Sequence, residues 1–213
     1  GLWFVAEKYF ACILSLYSAQ ILKKVEEFSK LGWELAIIAP AHGLCWRENP
    51  GQIVEKYVEW SKGVNREAAV IVFDTIWGGT EAMGRAIADG LAEEGVSYRM
   101  FNAGGADMHD VMTDVLTSKA VVLGCPTLNN GIVPTLALYL EELRGLKFRN
   151  KIGAAFGTYG WSGEGTKRIE AGLQEAGIEV VVSSAKCQFN PSAEDLEKCR
   201  ELGRELAHKI KGS

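Results

Sequence analysis

The segment Asp74-Thr75-Ile76-Trp77-Gly78-Gly79-Thr80-Glu81 places hydroxyls and glycines between an apolar β-branched run at 70–73 and a stretch of helical periodicity. A strand–turn–helix junction of this kind sets backbone N–H groups and the Thr75 and Thr80 hydroxyls at the positive end of a helix dipole. Such a cup suits a phosphate. Its glycines do not follow G-x-G-x-x-G, and no lysine precedes a Ser or Thr. Both facts argue against a dinucleotide fingerprint and a nucleotide P-loop.

Two more loops have unusual composition. One is Pro126-Thr127-Leu128-Asn129-Asn130-Gly131 and the other Thr158-Tyr159-Gly160-Trp161-Ser162-Gly163. Glycine permits close backbone approach and positive φ. Tyr159, Trp161 and Trp77 add flat apolar surface beside exposed backbone donors, the two things a planar heteroaromatic ring needs. Hydrogen bonds to a charged group contribute about 1.5–3 kcal/mol each, and a helix dipole roughly 0.3–1 kcal/mol. Several such donors hold a phosphate without Lys or Arg, so the set reads as a site for flavin mononucleotide (FMN). Without a cation near the ring, the anionic reduced flavin is disfavoured and a low potential is expected.

The elements that must position these loops repeat. From about residue 66 onward, strand-like runs at 68–73, 96–102, 120–125, 151–156 and 179–185 alternate with amphipathic segments. Met83, Ile87 and Leu91 recur at helical spacing; so do Met108, Val111, Met112 and Val115, and Leu136, Leu140 and Leu143. Leu196, Cys199, Leu202, Leu206 and Ile210 mark the last helix, with Ser192 and Asp195 as its cap. Five βα units joined by right-handed crossovers imply an α/β parallel sheet with helices on both faces. Periodicity alone does not fix its strand order, and the common doubly wound order for five strands is the flavodoxin-like 2-1-3-4-5. That order puts the ligand crevice at the ends of strands one, three and four. The three unusual loops fall there.

Residues 1–62 stand outside the repeat. Ile21, Leu22, Val25 and Phe28 line a helix, a strand is expected at 34–39, and Ile53, Val54, Tyr57 and Trp60 line a second helix. The break Lys62-Gly63-Val64-Asn65 is the expected domain boundary, dividing the chain into 1–62 and 63–213.

The loops then become specific. Asp74-Thr75-Ile76-Trp77-Gly78-Gly79-Thr80-Glu81 and Phe156-Gly157-Thr158-Tyr159-Gly160-Trp161-Ser162-Gly163-Glu164 resemble the FMN loops of flavodiiron proteins. Ile38-Ala39-Pro40-Ala41-His42-Gly43-Leu44-Cys45-Trp46-Arg47 resembles the last ligand-bearing loop of that family's metallo-β-lactamase-like iron domain. The resemblance implies FMN feeding a diiron site that reduces dioxygen to water or nitric oxide to nitrous oxide. It also implies His42 as an iron ligand, a head-to-tail homodimer, and electrons from a rubredoxin-like protein or a reduced deazaflavin. The family's H-x-E-x-D-H stretch is absent, and His42 alone cannot hold two irons. The 213 residues are therefore expected to be the C-terminal portion of a longer polypeptide. His109 and His208 are expected on solvated helix faces.

Other classes fit less well. A free-standing flavodoxin-like carrier or quinone reductase would leave 1–62 as an unrelated extension. A signalling receiver needs an aspartate after strand three, where Gly124-Cys125-Pro126 stands. A net charge of −4 with interspersed signs gives no footprint for nucleic acid or an anionic membrane. Five cysteines with no C-x-x-C pair read as reduced thiols of a cytoplasmic protein.

Overall fold

The computed structural model describes residues 1–212. Its sheet forms where the sequence is most continuously apolar. β1 (Arg66–Phe73), β3 (Ser118–Gly124) and β4 (Ile152–Tyr159) are buried along nearly their whole length, as strands covered on both faces must be. β2 (Ser97–Asn102), largely exposed, lies at the edge. All pairings are parallel, in the order β2-β1-β3-β4-β5, with β5 at Glu179–Val180 and β6 at Ala185–Gln188 both paired to β4. The order matches the expected one.

The fifth strand departs from expectation. Instead of one run over 179–185, two short strands flank an unpaired stretch, and the second runs on to Gln188. Cys187 alone is buried in β6, so its polar neighbours mask it as a strand.

Helices α4 (Gly79–Glu93) and α8 (Ala193–Lys211) cover one face; α5 (Met108–Thr117), α6 (Pro134–Leu146) and α7 (Gly165–Glu175) belong with the other. α4, α5, α6 and α8 show the expected apolar stripes, α7 buries Ile169 and Leu173, and Ser192 with Asp195 forms a reciprocal capping box. α4 and α8 pack tightly because Gly90 and Gly203 face each other. A β-carbon on Gly90 would lie 2.1 Å from the Arg200 carbonyl oxygen.

Ahead of the sheet, α1 (Leu2–Tyr9) continues through a π-helical turn (Phe10–Leu14) and a 3-10 turn (Ser15–Tyr17) into α2 (Ser18–Ser29). α3 (Gly51–Lys62) then runs into the sheet. The strand expected at 34–39 does not form; only an isolated bridge joins Ile38 to Trp46. A strand needs a ladder partner, and the described residues supply none beside it. Phe10 is fully buried against Tyr57 and Trp60, at ring separations of 5.1 and 5.2 Å. Ser15 donates to the Leu146 carbonyl at 3.0 Å, and Lys8 pairs with Asp110 at 2.6 Å. The N-terminal segment thus shares one apolar core with α5, α6 and the sheet.

At the end of the sheet away from the strand C-termini, the Lys151 side chain is buried. It donates to the carbonyls of Leu116 at 2.8 Å and Ser118 at 2.6 Å, and to the Asn65 side chain. Burial pushes its pKa well below the usual lysine range, and Lys119 and Arg66 add repulsion. Three acceptors oppose that shift, since only the ammonium has three N–H donors. Lys151→Met strands all three oxygens. It should cost about 2–4 kcal/mol, read as a lower denaturation midpoint at unchanged m-value.

Candidate functional site

The site is built from how three strands end. β1, β3 and β4 keep exchanging backbone hydrogen bonds past their last paired residues. Asp74 N–H donates to the Gly124 carbonyl at 3.0 Å, Cys125 N–H to Phe156 at 3.3 Å, and Thr127 N–H to Thr158 at 2.8 Å. The loops therefore leave the sheet from fixed positions. They enclose a cleft of about 600 Å³ lined by Thr75, Ile76, Trp77, Gly79, Pro126, Thr127, Thr158, Tyr159, Gly160, Trp161, Phe189 and Asn190.

The first loop folds on itself. Thr75 Oγ1 accepts from Gly78 N–H at 2.9 Å, so its own hydroxyl proton remains available to a ligand. The Asp74 carboxylate accepts from Thr75 N–H at 2.6 Å and from the Thr135 hydroxyl, tying the loop to the start of α6. Gly78 takes φ +83°, a conformation that favours glycine. α4 then begins with no side-chain cap, leaving the first-turn N–H groups of Gly79, Thr80 and Glu81 unsatisfied within the helix. Thr80 is buried and its hydroxyl lies 3.1 Å from that of Thr158. Thr80 is thus buried beside the lining residue Thr158, while Gly78 is exposed and shapes the turn.

The second loop divides in two. Pro126 and Thr127 line the cleft, and Thr127 Oγ1 accepts from Gly165 N–H at 3.1 Å. Leu128 and Gly131 exchange backbone bonds of 3.1 and 2.8 Å around Asn129 and Asn130, both with positive φ. This tight two-residue turn puts Leu128, Asn129 and Gly131 on a separate groove between α6 and α7. Asn130 lines neither.

In the third loop, Gly163 (φ +72°) lies under the Tyr159 ring; a β-carbon there would come 3.3 Å from Tyr159 Cγ. Ser162 is exposed outside the cleft and hydrogen-bonds Glu164, holding that carboxyl below its usual range. Trp77 and Trp161 are 88% and 89% exposed at the cleft, so both faces are open to a planar ligand.

Phe189 and Asn190 were not legible as site residues. They follow β6, whose end was expected three residues earlier, and the Asn190-Pro191 turn is their only sequence signal.

The cleft lining carries no charged side chain. An anion here would be held by N–H groups, hydroxyls and the helix dipole, and a flat ring would find indole and phenol faces. Cys125, buried beside it, has its thiol pushed up to about 11, chiefly by burial and also by Asp74. It is not a nucleophile at neutral pH.

His42 lies far along the chain, exposed, with its ring 6.0 Å from that of Tyr9 in a small apolar recess. Among the described residues, no three His, Cys, Asp or Glu side chains converge as a metal site. His109 and His208 are exposed on α5 and α8, and His208 lies 3.9 Å from Glu94.

Comparison with known proteins places residues 71–203 on the flavodoxin family model. A nitric oxide reductase of Moorella thermoacetica is 42% identical over 206 residues, 96% of this chain and 52% of that protein. Among solved structures, rubredoxin oxygen:oxidoreductase from Desulfovibrio gigas superposes with a TM-score of 0.94 at 32% identity, covering 97% of this chain and 52% of that one. The flavodiiron protein from Giardia intestinalis gives 0.91 at 31%, covering 97% and 51%. The chain spans about half the length of the relatives it matches. No helix among the described residues is long and apolar enough to cross a membrane.

Thiol chemistry offers a check on this packing. Cys125, Cys187 and Cys199 are buried, with thiols pushed up to about 11, 11 and 12 by burial, and Cys12 is half-buried at about 11. Only exposed Cys45 should react promptly with a thiol reagent at pH 8, all five after denaturation. Several fast thiols in the native protein would contradict the core described.

Proposed function

The chain belongs to the flavodoxin family, within the flavodiiron proteins, and on that premise we propose that its cleft holds FMN and relays electrons to a diiron centre reducing nitric oxide or dioxygen. The observation that carries this reading is one cleft with two chemistries. At one end, uncapped N–H groups of α4 and the Thr75 hydroxyl fit a phosphate. At the other, Trp77, Tyr159 and Trp161 fit a tricyclic ring.

When bound, FMN would take electrons from an external donor, one or two at a time, and hold them for the diiron centre. This chain's own residues bind and orient it. Thr75, Gly79, Thr127 and Thr158 face the ribityl-phosphate end, with Thr80 buried behind them and Gly78 forming the turn. Ile76, Trp77, Tyr159, Gly160 and Trp161 serve the ring. Because no Lys or Arg lines the cleft, the neutral ring is favoured over its reduced anion.

In this reading residues 1–62 are the C-terminal segment of the iron-binding domain and 63–213 the FMN domain. The matches to the M. thermoacetica and D. gigas proteins extend over 96–97% of the chain, including that segment, which a free-standing carrier would not require. Ile21, Val25, Phe28, Leu31 and Leu35 also line an open apolar groove, as expected of a surface built to be covered. His42 would give one iron ligand, the others coming from outside these residues. The described residues do not form the metal centre by themselves. The D. gigas relative is named for rubredoxin, and a rubredoxin-like donor is proposed here, with a cytoplasmic location and a head-to-tail homodimer.

The purified protein should be yellow and release FMN, not FAD, on denaturation. A colourless protein that cannot be reconstituted with FMN would contradict the reading. Thr75→Val should weaken FMN binding about tenfold or more and leave riboflavin binding nearly unchanged. Equal losses for the two flavins would show that the phosphate lies elsewhere.

A further inference from the structure

The cleft has a fourth wall, from the turn after β6. We propose that Asn190 is a phosphate-side ligand, set against the start of α4 by the backbone of Phe189. The proposal rests on the FMN reading and adds a residue to it from outside the three strand-end loops.

Both Phe189 and Asn190 line the cleft. A β-carbon on Gly79 would lie 3.5 Å from the Phe189 carbonyl oxygen and 3.3 Å from Pro191 Cδ. Asn190, between those two residues, is therefore beside the first residue of α4, where the uncapped N–H groups are. A β-carbon at position 79 would be in ordinary contact with the Phe189 oxygen and tight against Pro191, so the two segments are close neighbours.

The turn is held, not loose. Phe189 has φ +59°, uncommon for a bulky side chain, and such backbone persists only where its surroundings enforce it. Phe189 N–H donates to the Tyr159 carbonyl at 2.8 Å, and Gln188 Nε2 donates to the Gly160 carbonyl at 2.7 Å. On the far side, the Ser192–Asp195 capping box fixes the start of α8. Position 190 is thus anchored from both directions, to the ring-side loop and to a helix. A carboxamide there offers N–H donors without charge, in keeping with a lining that holds an anion without cations.

The test titrates FMN and riboflavin separately into flavin-free protein, for the parent, Asn190→Ala and Asn190→Asp. Position 190 is exposed, so both variants should fold, and circular dichroism checks that they do. Asn190→Ala should raise the Kd for FMN about tenfold. Asn190→Asp should raise it further, because its carboxylate would face a phosphate dianion. Riboflavin affinity should stay at the parent's value in both. Parent-like FMN affinity in both variants would overturn the proposal, as would an equal loss for FMN and riboflavin. Should the parent itself bind neither flavin, the FMN reading fails first and takes this assignment with it.

Discussion

A β-carbon on Gly157 would sit 2.1 Å from the Cys125 carbonyl oxygen, and one on Gly124 would sit 2.3 Å from the Phe156 ring. Those two contacts, at the C-terminal ends of β3 and β4, are the constraint on which the site depends. They allow the ladder to continue beyond the strands, so that Thr127 N–H still reaches the Thr158 carbonyl. A larger residue at either position would part the strands where the second and third loops begin. The cleft would then lose its fixed walls while the sheet remained recognisable.

Given that closeness, the rest of the site needs few special residues. The first loop is held by its own hydrogen bonds and by Asp74, whose carboxylate links Thr75 to Thr135. Thr80 and Thr158 join α4 to β4. Donors fixed in this way cost little reorganisation when an anion arrives. The absence of charge in the lining follows the same logic. Binding comes from geometry, and the ring's electronic balance is left unpolarised by any cation.

Most of this was legible in the sequence, for a physical reason. Strands covered on both faces must be almost wholly apolar, so residues 70–73 and 120–123 announced themselves. Their order placed three glycine-rich loops at one crevice. Legibility ended where burial is partial or where a partner is required. Cys187 is the single buried residue of β6, which hid the strand and the Phe189–Asn190 wall behind it. The apolar run at 34–39 has strand character but nothing to pair with, and only the Ile38–Trp46 bridge forms. Leu128 to Gly131 looked like part of the ligand loop. Asn129 and Asn130 take left-handed backbone there, and Leu128, Asn129 and Gly131 border a neighbouring groove between α6 and α7.

The central claim is that a phosphate sits immobilised among N–H and hydroxyl donors at the start of α4. Phosphorus NMR of the reconstituted protein tests it most directly. Free FMN titrates with a second phosphate pKa of about 6. In the complex the account predicts a single shifted resonance that stays fixed from pH 5 to about pH 8, a dianion held by donors throughout. A resonance that titrates as in free FMN would place the phosphate in solvent and contradict the account.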